Sequence, residues 1–185
     1  MSGDNKETKL VIPDMYTKDI QSIDYHYLKK QKLTNLIFDI DNTILKVNDI
    51  QVPDDIKTFF GTLEKDGFNI CILSNNDKER VLPVAYALQT GYLFKAGKPF
   101  PEAFDKALIA LNSKKENTAM IGDQMLTDIK GANEYGLYSI LVDPVSNQYD
   151  LKTGTSRILQ NQMIKKLSKK RKFAHGQYYK KEGRS

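Results

Sequence analysis

The chain of 185 residues is poor in cysteine and in long apolar runs. Its single cysteine, Cys71, cannot form an internal disulfide, which argues against a disulfide-framed secreted protein and favours a reducing compartment. The apolar runs all fall short of the roughly 20 residues that a membrane-spanning helix needs. The polar start MSGDNKETK lacks the apolar segment of a secretory signal. We therefore expect a cytoplasmic protein.

The net charge of +5 is unevenly distributed along the chain. Residues 152–185 hold 11 basic residues and one acidic residue, whereas the preceding 151 residues hold 17 basic and 22 acidic residues. A mildly acidic body is thus followed by a strongly basic C-terminal segment. Such a segment favours anionic partners, either a membrane surface or RNA.

Short apolar runs alternate with helical patterns along the body of the chain. The predicted strands cover residues 36–40, 68–73, 92–94, 118–121 and 138–142. Predicted helices occupy the intervals between them, although Pro83 puts the start or straightness of the second in doubt. This alternation predicts an α/β fold with a parallel sheet and helices on both faces.

The sequence also suggests how the chain is divided. We expect a disordered start over residues 1–9 and a lead-in arm with a short helix over residues 10–31. The arm would belong to a folded domain covering residues 10–155. A basic helix and tail would follow over residues 156–185.

Two carboxylates, Asp39 and Asp41, stand at the end of the first predicted strand. Because side chains alternate along a strand, residues two apart face the same side. Burying like charges together is costly unless a proton or a cation offsets the repulsion. Mg²⁺ prefers oxygen ligands and would resolve it. Two acids in a solvated loop are the ordinary alternative for such a pair.

Polar residues follow the other strands as well. Ser74 and Asn75 come after the second strand, Lys98 after the third, and Asp123 after the fourth. Each alone has an ordinary explanation as a turn or surface residue, and Asp128 alone suits the start of a helix. Because ligands bind beyond the carboxyl ends of parallel strands, the combination indicates one shared site.

The segments DIDNT, SNN, KP and GDQMLTD, each after an apolar strand, resemble the four signature motifs of haloacid dehalogenase (HAD) superfamily phosphatases. The match spans about residues 35–143. The lead-in IPDMY, the SNN form and the closing DPVS are similar to the YqeG-like branch, subfamily IIIA. The resemblance implies a HAD-like fold without a cap domain, because 32 residues separate Asp41 from Ser74 and 23 separate Ser74 from Lys98. An open site would suit a large or surface-bound phosphate ester.

The resemblance also implies roles for individual residues. Asp39 matches the nucleophile that forms an aspartyl-phosphate, and Asp41 matches the general acid and base. Mg²⁺ would be held by the Asp39 carboxylate, the Asp41 backbone carbonyl and Asp123. The phosphate-binding positions match Ser74, Asn75 and Lys98. A supporting acid matches Asp128, and Asn42 stands where the wider superfamily often has glycine.

The basic segment carries an apolar stripe of its own. Leu159, Met163 and Leu167 recur every four residues, with lysines mostly off that stripe. Such a helix suits an anionic lipid surface, RNA phosphates, or docking on the body of the protein.

These features together predict a Mg²⁺-dependent phosphomonoester hydrolase. YqeG-like proteins resemble a mitochondrial phosphatase of phosphatidylglycerophosphate, which makes this phospholipid precursor the best single substrate hypothesis. The protein would then be cytoplasmic or peripheral at the inner membrane surface. One alternative is a phosphatase of a soluble sugar phosphate, nucleotide or phosphoprotein. The other is a non-catalytic RNA- or ribosome-binding module.

Overall fold

The computed structural model describes residues 10–47, 49–146 and 154–169, and it contains a parallel sheet of six strands. The strand order is β1-β6-β5-β2-β3-β4. In chain order the strands are β1 (Met15–Thr17), β2 (Asn35–Phe38), β3 (Asn69–Leu73), β4 (Gly91–Leu93), β5 (Thr118–Gly122) and β6 (Tyr138–Val142).

Helices fill the connections between the strands. They are α1 (Tyr25–Lys30), α2 (Asp54–Lys65), α3 (Lys78–Leu88), α4 (Pro101–Ala110), α5 (Lys130–Tyr135) and α6 (Gly154–Lys169). A π-helical segment, Met125–Ile129, precedes α5, and 3₁₀ turns cover Ile20–Ser22 and Lys115–Asn117. The predicted parallel α/β architecture is confirmed. Pro83 lies inside α3, which continues past it to Leu88.

The sequence prediction missed strand β1, which lies in the region expected to be a lead-in arm. Met15–Thr17 pairs in parallel with β6 at the edge of the sheet. The preceding Asp14 is buried, and it accepts a hydrogen bond at Oδ2 from the Ser139 backbone N–H at 2.8 Å. A strand of three residues has no readable alternation of its own. Pairing with β6, more than 120 residues away, defines it instead.

The core lies on both faces of the sheet. Phe38 points to one face and packs against Phe60 of α2, with ring centroids 5.0 Å apart. Its neighbour Ile37 points to the other face, where Phe104 of α4 belongs to the same buried cluster. The central strands are buried on both sides, which explains why their sequences read as continuous apolar runs.

Helix α6 packs on the body of the protein. Leu167 is buried in a cluster with Val11, Tyr16 and Leu141. The expected apolar stripe is only partly correct, because Leu159 is 48% exposed. Residues 1–9 and the chain beyond residue 169, for which disorder and a basic tail were predicted, lie outside the described residues. None of the helices in the described part is long and apolar enough to cross a membrane.

The intervals in which a cap domain would be inserted are short. Between β2 and β3 the described residues contain one helix, α2, and between β3 and β4 they contain α3. This arrangement matches the interval lengths from which an open site was expected.

Candidate active site

The predicted site residues gather at one edge of the sheet. Strands β5, β2, β3 and β4 are neighbours, and their carboxyl ends carry Asp123, Asp39, Ser74 and the loop to Lys98. The four strand ends thus form a continuous row along the carboxyl edge of the sheet, where parallel sheets bind their ligands.

Lys98 lies between two carboxylates. Its Nζ is 2.7 Å from Asp39 Oδ1 and 2.8 Å from Asp128 Oδ1. The lysine side chain is 2% exposed, so these contacts are shielded from water. Burial alone lowers the pKa of Lys98, but the charges of Asp128 and Asp39 more than offset it, and the pKa lies above its usual value. Lys98 is therefore protonated at neutral pH and lies against the predicted nucleophile.

Asp128 is fully buried within the π-helical segment. Burial raises the pKa of its carboxyl to about 6, with the Asp39 charge adding to the rise and the Lys98 ammonium opposing it. Its Oδ2 accepts a hydrogen bond from the Gln124 backbone N–H at 3.1 Å. A Cβ added to Gly122 would lie 2.6 Å from the Asp128 Cβ. The glycine of the GDQ segment is needed because Asp128 packs directly against it.

Three buried carboxylates are arranged in a way that suits a metal ion. Ligand atoms of Asp39, Asp123 and Asp128 all lie within 4.8 Å of one another. Thr43 Oγ1 donates a hydrogen bond to Asp123 Oδ1 at 3.3 Å, which ties the first motif to the fourth. In the described part of the site one buried ammonium, that of Lys98, contacts Asp39 and Asp128, so a single cation stands against three buried acids. The excess negative charge and the all-oxygen donor set fit a divalent cation such as Mg²⁺.

The side chain of Asp41 is held by two residues that the sequence did not single out. Arg80 donates to Asp41 Oδ1 from Nε at 2.9 Å and from Nη2 at 2.6 Å. Asn76 Nδ2 donates to Asp41 Oδ2. Asn76 belongs to the SNN segment, so its position in that motif could have indicated that it is a site residue. Nothing in the sequence indicated Arg80, because an arginine in the first turn of a helix is usually a surface residue.

Asn42 adopts a backbone conformation that favours glycine or asparagine. Its φ angle is 58°, in the left-handed region. Its Oδ1 accepts hydrogen bonds from the Ser146 backbone N–H at 3.3 Å and from the Ser146 hydroxyl at 3.0 Å. The turn after Asp41 is thereby linked to the segment that follows β6.

The loop after β3 is bonded to the loop after β4. Ser74 is buried, and its backbone carbonyl accepts a hydrogen bond from the Ala96 N–H at 3.0 Å. Asn75 donates from Nδ2 to the Lys98 carbonyl at 2.9 Å and accepts from the Lys98 N–H at 2.7 Å. Although phosphate binding was predicted for Asn75, the structure gives both polar ends of its side chain to the Lys98 backbone.

A further residue reaches the site from helix α6. Gln160 is 4% exposed, and its Nε2 donates to the Asp123 backbone carbonyl at 2.7 Å. Its Oε1 accepts from the Met125 backbone N–H at 2.9 Å. Sequence reasoning missed it, since a glutamine in a basic amphipathic helix carries no signal of a contact 37 residues away.

Comparisons with known proteins agree with this geometry. A family model described as HAD-hydrolase-like matches residues 95–156, and one described as mitochondrial PGP phosphatase matches residues 5–80. The probable phosphatase YqeG of Bacillus subtilis (strain 168) is 32% identical over 162 residues, which cover 88% of this chain and 94% of that protein.

Two further proteins are similar to this chain at lower identity. Phosphatidylglycerophosphate phosphatase 1, chloroplastic/mitochondrial, of Arabidopsis thaliana is 23% identical over 153 residues, covering 76% of this chain and 43% of that protein. The crystal structure of an uncharacterized protein from Listeria monocytogenes serotype 4b superposes with a TM-score of 0.51 at 20% identity. It covers 71% of this chain and 100% of the other, and the likeness shows the fold.

Proposed function

Because the chain belongs to the YqeG-like family of HAD-type phosphatases, we propose that it hydrolyses phosphomonoesters with Mg²⁺ through an aspartyl-phosphate on Asp39. The observation that carries this proposal is the buried Asp39–Lys98–Asp128 cluster at the strand ends. It places a carboxylate nucleophile beside a fixed cation, as transfer of a dianionic phosphoryl group requires.

In the first step an oxygen of Asp39 attacks phosphorus, and the bond from phosphorus to the leaving alcohol oxygen breaks. Asp41 acts here in its protonated form and donates a proton to that oxygen, so the alcohol leaves uncharged. Lys98 offsets part of the charge on the phosphoryl group during transfer. The products of the step are the free alcohol and an aspartyl-phosphate.

In the second step water hydrolyses that intermediate. Asp41, now ionised, takes a proton from water as the water oxygen attacks phosphorus. The bond between phosphorus and the Asp39 oxygen breaks, which restores the carboxylate and releases inorganic phosphate. Both residues return to their starting protonation states.

The remaining residues bind or position the reacting groups. We assign phosphate binding to Ser74 and Lys98. Asn75 positions Lys98 through hydrogen bonds to its backbone, and Asp128 positions it through the ion pair with its ammonium group. Mg²⁺ would be held by the carboxylates of Asp39 and Asp123 and by the Asp41 carbonyl, and it supplies positive charge to the transferring phosphoryl group.

For the substrate we propose the headgroup phosphate of phosphatidylglycerophosphate. Two findings support it: the family model that matches residues 5–80 and the substrate named in the Arabidopsis relative. The single-helix intervals, which leave no space for a full cap, are compatible with a lipid presented at a surface. We further propose that the protein is cytoplasmic and that its basic C-terminal segment contacts the anionic inner membrane surface.

The test is phosphate release from a panel of substrates, in Mg²⁺ and in EDTA. The panel contains phosphatidylglycerophosphate in mixed micelles, sugar phosphates, nucleotides and an aryl phosphate. Mg²⁺-dependent release, fastest from the lipid, is the expected result. If only soluble esters release phosphate, the proposed lipid substrate is wrong, whereas the proposed phosphatase activity is correct. If no member releases phosphate and the protein binds RNA in a salt-sensitive way, an RNA-binding module becomes the better description.

A further inference from the structure

Arg80 bridges two segments at the site. Its Nε and Nη2 bind the Asp41 carboxylate, as described above. Its Nη1 donates to the Asp49 backbone carbonyl at 2.6 Å, and Nη2 also lies 3.4 Å from the Lys46 carbonyl. One edge of the guanidinium therefore faces a charged acceptor, whereas the other faces neutral backbone acceptors.

Among the residues that the structure describes, Lys98 and Arg80 form ion pairs with carboxylates of this site, and they differ in what they can still bind. Lys98 is 2% exposed and contacts two carboxylates. Arg80 is 13% exposed and forms its ion pair with one carboxylate, that of Asp41. An incoming anion reaches Arg80 more easily, and it would replace neutral carbonyl acceptors by a charged one. The guanidinium is charged in both cases, but an anionic acceptor adds the Coulombic attraction between two full charges, which a neutral carbonyl does not offer, so this exchange is favourable.

The position of Arg80 defines which part of a substrate it meets. This step rests on the proposed function, in which Asp41 protonates the leaving oxygen. Since Arg80 is bonded to Asp41, the guanidinium would then lie beside the leaving alcohol. A planar guanidinium also matches phosphate oxygens in a two-point contact.

We propose that Arg80 is a specificity-determining residue that binds a second phosphate group carried by the leaving alcohol. A glycerophospholipid headgroup offers such a group as a phosphodiester, a short carbon bridge away from the terminal phosphomonoester. A soluble bisphosphate offers the same chemistry. Esters whose leaving alcohol is uncharged lack this contact.

The experiment compares matched water-soluble substrates in the unsubstituted protein and in Arg80→Gln and Arg80→Lys. Glycerol 3-phosphate lacks the second anion, whereas 1,3-bisphosphoglycerol and the deacylated phosphatidylglycerophosphate headgroup carry it. The last two separate a free phosphate from a lipid-derived diester. Lys57→Gln is the charge control, because Lys57 forms an exposed pair with Asp54 at 2.9 Å and the substitution removes the same charge.

The readout is the ratio of kcat/KM between substrates with and without the second anion. We expect Arg80→Gln to reduce this ratio by about 10- to 100-fold, Arg80→Lys to reduce it less, and Lys57→Gln to leave it within about 2-fold. If Arg80→Gln lowers kcat/KM equally for all three substrates, Arg80 acts only through Asp41 and the proposal is wrong.

A binding measurement keeps this inference separable from the proposed function. In an Asp39→Asn background, calorimetry gives the Kd of 1,3-bisphosphoglycerol and of glycerol 3-phosphate without turnover. The proposal requires Arg80→Gln to weaken the first at least about 10-fold more than the second. Equal weakening, or no binding of either ligand, would overturn it. If the unsubstituted protein shows no turnover but Arg80→Gln still produces this binding difference, the phosphatase assignment is wrong and the role of Arg80 stands.

Discussion

The close contact between Gly122 and Asp128 makes Gly122→Ala a sensitive test of how the site is built. The added Cβ would lie 2.6 Å from the Asp128 Cβ, whereas ordinary van der Waals contacts begin at 3.4 Å. Asp128 must therefore move by about 1 Å. Such a shift lengthens its 2.8 Å contact with Lys98 and its 3.1 Å bond from the Gln124 N–H.

The size of the effect follows from what the shift disrupts. Overpacking a tight interior costs about 1–3 kcal/mol, and breaking a buried ion pair costs about 3–5 kcal/mol. Since Lys98 keeps its contact with Asp39, we expect the free energy of unfolding to fall by about 3 kcal/mol rather than by the full sum. We also expect kcat/KM to fall at least about 10-fold, because Lys98 loses one of its two anchors.

Gly61→Ala provides the matched control. Gly61 lies inside α2, and a Cβ there would meet nothing within 4 Å. Alanine at such a helix position stabilises by about 0.5–1 kcal/mol. Urea unfolding and phosphate release would be measured on the same preparations of both variants. A Gly122→Ala protein with the unfolding midpoint and turnover of the unsubstituted chain would refute the packing argument.

Two further predictions concern Gln160 and Cys71. Gln160→Ala should weaken Mg²⁺ binding about 10-fold by calorimetry, because the backbone turn that carries Asp123 loses the hydrogen bond from Gln160. The control Gln162→Ala, on the exposed face of α6, should leave Mg²⁺ affinity unchanged. Equal affinities for the two variants would contradict this role of Gln160. Burial raises the pKa of the Cys71 thiol from 9.0 to about 12, so its contribution to stability is complete below pH 9 and is lost as the pH rises through about 12. A thiol reagent at pH 8 should accordingly label Cys71 in urea and not in the folded protein, and rapid labelling without urea would show that the burial is incorrect.

The elements that could be predicted from sequence are those defined by local pattern. The central strands are apolar along their whole length because both faces are buried, and this was readable around Ile37 and Phe38. The grouping of the acids could also be predicted, because the carboxyl ends of parallel strands meet at one edge of the sheet and so bring Asp39 and Asp123 together. Strand β1 was not predicted, because three residues carry no period and its pairing with β6 is long-range.

The residues that sequence reasoning missed share one property: their contacts are distant along the chain and involve backbone atoms or charged partners. Arg80 reaches Asp41 across 39 residues, and Gln160 reaches the Asp123 turn across 37. The same contact explains the unexpected exposure of Leu159, because the hydrogen bonds of Gln160 fix which face of α6 turns inward. Periodicity alone could not identify that face, since Gln160 is polar.

The most direct test of the proposed chemistry is detection of a phosphoryl group on Asp39. Asp41→Asn removes the base for the second step, and an aryl phosphate has a leaving group that needs no protonation in the first. Acid-quenched Asp41→Asn, incubated with Mg²⁺ and this substrate, should therefore carry one phosphoryl group on the peptide that contains Asp39, by mass spectrometry. The Asp39→Asn, Asp41→Asn double variant should carry none. A phosphoryl group on any other residue, or none in Asp41→Asn while the unsubstituted protein turns over, would contradict the aspartyl-phosphate mechanism.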